Sequence, residues 1–117
     1  MIEELVSRTF AARDVAHREH LRTRSYAEHV ALGDFYTTVI EQIDSIVEAY
    51  QGKFGMIGDY QVETSPIVNI TTWLMAEMDW IEVNRDALAN GATSIQNLID
   101  GLLETYQRTI YKLTYLA

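Results

Sequence analysis

Apolar residues recur along most of the chain at spacings of three and four, with polar residues between them. That period belongs to helices, and no segment alternates residue by residue as a half-buried strand would. A first helix is predicted from about Ile2 to Leu21, with Ile2, Leu5, Val6, Thr9, Ala12, Ala16 and His20 on one face. Leu21-Arg22-Thr23-Arg24-Ser25 holds neither Gly nor Pro, but Thr23 and Ser25 are both good N-caps for a new helix. A short break there gives an αα-hairpin, with one continuous helix as the alternative. The second helix, about Tyr26 to Gln51, carries two apolar stripes. Tyr26, Val30, Tyr36, Ile40, Ile43, Val47 and Tyr50 form one, and Leu32, Phe35, Val39 and Ile46 the other. A surface helix of a monomer needs a single stripe, so the extra one predicts contact with a second subunit.

From Gly52 to Ser65 the pattern lapses into glycines and polar residues. Connections of that length are uncommon in compact domains, and a crossover along the length of a bundle accounts for this one. In such a ferritin-like topology the second and third helices run parallel. Ser65-Pro66 reads as N-cap and N1 proline of a third helix whose face is Ile67, Ile70, Trp73, Leu74, Met78 and Ile81. Asn90-Gly91 ends it. Thr93 with Gln96 makes a capping box for a fourth helix, which buries Ile95, Leu98, Ile99, Leu102, Tyr106, Ile110 and Leu113. The expected fold is all-α: one domain over residues 1–117, a ferritin-like four-helix bundle with a long crossover between the second and third helices.

Charge narrows the partners. Nine Lys and Arg against 17 Asp and Glu give a formal charge of -8, which argues against binding nucleic acid or anionic membrane. Arg8, Arg13, Arg18, Arg22 and Arg24 are close in sequence, yet helical spacing spreads them around the axis as a solvated surface. The absence of Cys excludes disulfides, thiolate metal sites and cysteine nucleophiles. Met1-Ile2-Glu3-Glu4-Leu5 does not open like a secretory signal, and no apolar run approaches the ~20 residues of a membrane span. A cytoplasmic location is the expectation.

The candidate chemistry lies in His17, His20 and His29 and in the acids of the second helix. Asp44 and Glu48 are one helical turn apart and share a face, and Glu41 lies one turn before Asp44. Imidazole nitrogen with carboxylate oxygen suits iron, manganese or zinc. His29 and Asp44 stand fifteen residues apart on one helix, roughly 22 Å at the helical rise. They cannot share an ion within one chain. A hairpin turning near Thr23 brings His17 level with His29, whereas Asp44 and Glu48 join them only from an antiparallel second copy. A two-fold dimer on the second helix makes two such sites. The tyrosines, Trp73, Trp80, Met75 and Met78 read as packing residues.

His17, His29 twelve on, Asp44 fifteen further and Glu48 four after that resembles the ligand spacing of the Dps proteins, ferritin-like mini-ferritins that protect DNA in starved bacteria. The helix order and crossover are similar to theirs over essentially the whole chain. The resemblance implies Fe(II) bound between subunits, by two histidines of one chain and the Asp and Glu of its two-fold mate. It also implies oxidation by peroxide or oxygen and storage as ferric oxide in a dodecamer. On this reading His17, His29, Asp44 and Glu48 are the catalytic and metal ligands. His20 accompanies or replaces His17, or closes the hairpin end with a hydrogen bond. The stretch from His20 through Ser25-Tyr26-Ala27-Glu28-His29 to Phe35-Tyr36 and Tyr50-Gln51-Gly52 is also similar to small proteins encoded by tailed phages. That likeness implies the cytoplasm of a bacterial host. The chain departs from Dps in having Arg18 where Trp is usual and Gly33 where a further acidic ligand is common, and in lacking a Lys-rich tail. Direct DNA binding is therefore not expected. The alternative function is a non-enzymatic Dps-like oligomer serving as a structural, host-interaction or ligand-sponge protein.

Overall fold

The computed structural model describes residues 1–117. It contains four helices and no strand: α1 (Ile2–Arg22), α2 (Tyr26–Phe54), α3 (Ile70–Leu88) and α4 (Thr93–Tyr115). α1 packs on α2 and α3, and α4 packs on the same two, an arrangement compatible with a four-helix bundle. No helix is long and apolar enough to cross a membrane.

The core runs along the axis of this arrangement. Leu5, Ala12 and Ala16 of α1 meet Leu32, Phe35, Val39, Ile43 and Ile46 of α2, Leu74 and Ile81 of α3, and Ile95, Ile99, Leu102 and Tyr106 of α4. Each fully buried Leu, Ile or Phe contributes about 1.5–3 kcal/mol relative to exposure. Of the two stripes of α2, Leu32, Phe35, Val39 and Ile46 face the core. Ile43, grouped by sequence with Tyr36, Ile40 and Val47 on the other, joins them at 1% exposure because it sits one turn after Val39. Leu98 also departs from expectation. It is 37% exposed, and Leu103 takes the buried place.

Two helix starts differ from the sequence reading. α3 begins at Ile70, not at Ser65-Pro66, because the Asn69 side chain caps it by accepting from the Thr72 amide at 2.9 Å. The preceding Ile67 packs on the core from outside the helix. α4 has Ala92 as its N-cap with no side-chain cap, so the Thr93–Gln96 box does not form. Gln96 instead donates to Asp86 at 2.7 Å. Left-handed backbone at Asn90 (φ 50°) and Gly91 (φ 75°) makes the turn and carries the chain directly into α4.

Residues 55–69 lie against α1. The Gly58 amide donates to the Glu3 carboxylate at 2.8 Å, Ser7 Oγ donates to the Gln61 carbonyl, and Arg18 donates to Thr64 Oγ1 at 2.8 Å. Arg8 reaches across to α3, pairing with Glu77 at 2.8 Å and lying 4.2 Å over the Trp80 ring. Burial pushes the Glu77 carboxyl upward against the opposing pull of Arg8.

The Gly58 amide, with further help from Glu3's own amide and the chain's amino terminus, holds the Glu3 carboxyl down at about 2. A depressed carboxylate stabilises the fold above its unfolded value and loses that contribution as pH falls through the folded one. Protection of the Gly58 amide from hydrogen exchange is therefore expected to decline between about pH 4.5 and 2, and Glu3→Gln to abolish that step. In the core, the Tyr106 hydroxyl is fully buried with no hydrogen-bond partner. Tyr106→Phe is expected to leave stability unchanged or raise it by about 1 kcal/mol in chemical denaturation. Leu102→Ala in the same assay loses about 2–5 kcal/mol.

Candidate functional site

The α1–α2 turn brings the three histidines together. Only Thr23, Arg24 and Ser25 separate the helices, so the ends of both must find partners in very little chain. The Thr23 amide bonds to the Glu19 carbonyl at 2.9 Å, and Thr23 Oγ1 accepts from the Ser25 amide at 3.1 Å. Ser25 caps α2 by accepting from the Glu28 amide at 3.2 Å. Of the two expected N-caps Ser25 is the one in use, while Thr23 closes α1 and holds the Ser25 amide.

The remaining closure is made by side chains. His29 Nδ1 lies 2.8 Å from the His20 carbonyl, and His20 Nδ1 lies 2.5 Å from the His29 carbonyl. A carbonyl oxygen only accepts, so both rings carry their proton on Nδ1. In the neutral form each Nε2 then holds a lone pair. The two rings stack with centroids 3.6 Å apart at 17°. His17, one turn before His20, stacks on Tyr36 at 4.2 Å and meets His20 edge-on at 5.8 Å. His17 is exposed, and His20 and His29 are partly buried.

Gly33 is the residue that the sequence reading undervalued. A Cβ there would stand 3.1 Å from His20 Cε1 and 3.3 Å from its Nδ1, closer than ordinary contact. The absent side chain leaves the space that His20 occupies. A lone glycine within a helical pattern, costing about 1 kcal/mol against Ala, is the signal that pointed to such an approach.

Asp44 and Glu48 are exposed farther along α2. They rim a groove of about 340 Å³ walled by Val6, Phe10, Ile43, Val47, Ile57 and Tyr60. Neither has an ion-pair partner within the chain. Glu41 lies apart from them, in a shallow depression with Gln42, Ser45, Asn97, Leu98 and Gly101. No group of three or more His, Asp or Glu side chains in one chain is placed to hold a metal ion. The chain thus gathers His17, His20 and His29 at one end and leaves Asp44 and Glu48 well away from them.

The outer stripe of α2 connects the two groups. Tyr36, Val47 and Tyr50 are partly buried against the core, while Val30 is 41% and Tyr26 81% exposed. These features define an all-helical protein with a hairpin-end histidine cluster and a partly exposed apolar face. Residues 20–113 match a family of unknown function, DUF5856, and the chain belongs to that family. The match includes His20, His29, Asp44 and Glu48 and leaves His17 outside. No curated protein and no solved structure matches the chain.

Removing the His29 side chain strips a partner from the last turn of α1. His29→Ala is expected to lose about 1 kcal/mol in thermal or chemical unfolding. The loss should appear first as faster amide exchange around Thr23–Ser25.

Proposed function

We propose that the chain is a Dps-like iron-binding protein that oxidises and sequesters Fe(II) at sites between subunits. On this reading residues 55–69 are the long crossover of a ferritin-like bundle, α2 and α3 run parallel, and α2 pairs with its two-fold mate. The observation that carries the reading is the hydrogen bond from His29 Nδ1 to the His20 carbonyl at 2.8 Å. Histidines that ligate metals ordinarily donate their second ring N–H in this way, which fixes the tautomer and raises the basicity of Nε2.

Helical phase supports the pairing. At 100° per residue, His29 and Asp44 lie about 60° apart around α2 and share its outer side. An antiparallel second copy crossing near Thr37 and Ile40 brings its Asp44 and Glu48 to the first copy's histidines. Symmetry then repeats the site. Fe(II) is the substrate, with His17 and His29 as nitrogen donors, Asp44 as oxygen donor and Glu48 as a bridging carboxylate. Hydrogen peroxide takes one electron from each of two Fe(II) ions. Its O–O bond breaks, and both oxygens leave as hydroxide. The acidic charge of the chain favours cation entry and ferric deposition. Manganese or zinc suits the same donors. A dodecamer in the cytoplasm, of a bacterium or of a phage's host, is the assembly this reading carries. DNA is not its partner.

The histidine clip also favours a second reading. His20 and His29 close the hairpin through ring-to-carbonyl hydrogen bonds, a structural use that fits a non-enzymatic helical oligomer whose outer α2 stripe is only an interface. Anaerobic Fe(II) titration of the untagged protein, followed by peroxide, separates the two. The iron reading expects near-UV absorbance to grow on oxidation, binding to weaken in His29→Ala and Asp44→Asn, and mass in solution to exceed one chain. An assembly indifferent to chelator, with no iron bound, overturns it in favour of the second.

A further inference from the structure

The geometry points to His20 as a positioning residue for His29, seated by Gly33, and not as a ligand. His20 covers one face of the His29 ring at 3.6 Å, and its Nδ1 anchors on the His29 backbone carbonyl at 2.5 Å. His29 Nδ1 in turn meets the His20 carbonyl. The two residues therefore hold each other at both backbone and ring. Near-parallel rings at this separation cannot both aim an in-plane lone pair at one ion. His20 is thereby excluded from sharing a metal with His29, while its grip keeps the proton of His29 on Nδ1. The edges of His17 and Tyr36 close the cluster, with ring centroids 5.8 Å and 5.2 Å from His20.

Gly33 gives the arrangement room. Any side chain at that position meets the His20 ring at Cε1 and Nδ1. The glycine weakens α2 locally yet admits the brace. This inference rests on the iron-binding reading only for what the poised Nε2 does, since the tautomer itself needs no metal.

Nitrogen NMR of the imidazoles in metal-free protein, paired with Co(II) titration, tests it. Wild type is expected to show His29 protonated on Nδ1. In His20→Ala the proton redistributes to Nε2 and Co(II) affinity falls roughly 10–100-fold. Gly33→Ala guards against a folding artefact, because it favours helix and removes no hydrogen-bonding group. It is expected to shift the His29 signature in the same direction with helix content retained. An unchanged signature in both variants, or unchanged affinity in both where wild type binds Co(II), overturns the assignment. If wild type binds no Co(II) while the signature shifts as described, the positioning role stands and the iron-binding reading falls.

Discussion

Reversing the chain between two long helices within Thr23–Ser25, with neither Gly nor Pro, is the constraint on which the rest of the site depends. The last carbonyls of α1 and the first amides of α2 lose their helical partners together, and each unpaired group costs free energy if it is shielded from water. Thr23 and Ser25 accept from amides, His29 donates to the His20 carbonyl in the last turn of α1, and His20 donates across the turn to the His29 carbonyl of α2. Once His20 is used in this way its ring lies across α2, where a Cβ at position 33 would crowd it at 3.1 Å. The placement of His20 and His29, their tautomers and the use of a glycine at position 33 are all tied to closing one turn.

Electrostatics elsewhere leaves the outer acids uncommitted. Arg8 serves Glu77 and Glu4, Arg18 serves Asp14, and Arg85 makes a two-pronged bond to Asp100 at 2.6 and 2.8 Å. The bond from Arg85 holds the Asp100 carboxyl below its usual range. With 17 acids against nine cations, some carboxylates must remain unpaired. Asp44 and Glu48 are among these, beside an apolar groove. Exposed ion pairs of this kind contribute little to stability. What distinguishes Asp44 and Glu48 is their shared position, one turn apart on the half-exposed side of α2.

The helices were legible because their period and caps agree. Ile2–Arg22 and Tyr26–Phe54 lie within a few residues of the expected bounds, and Ser25 caps as its side chain predicts. The helix starts that were not legible depended on tertiary choices. Ser65-Pro66 has the right local chemistry for a helix start, but Ile67 is claimed by the core and Asn69 offers a competing cap. Thr93 and Gln96 have the right spacing for a box, but Gln96 finds Asp86 across the turn. Of the candidate site, the residue types and the nearness of the histidines could be read from spacing. A hairpin-end hydrogen bond is among the roles expected of His20, and it forms. The reciprocal bond of His29 was not legible, because it joins a ring to a backbone carbonyl nine residues away across a turn. Gly33 looked like a missing ligand when its role is to leave room.

The length of α2 decides what one chain can do alone. Its 29 residues extend roughly 43 Å at the helical rise, close to the 44 Å long dimension of the whole molecule. A helix of this kind is stiff, and His29 and Asp44 are fixed upon it about 22 Å apart. No side-chain rearrangement closes that distance, so the histidine cluster and the acids are separate features of a single chain. Only a symmetric neighbour running the other way along α2 converts the separation into coincidence. The partly exposed Val30, Tyr36, Ile40 and Val47 lie along the same side of the helix and give that neighbour an apolar seam. On the proposed iron-binding reading, metal chemistry is thus tied to assembly. Affinity for the ion and affinity between copies would be linked, each raising the other by the same factor.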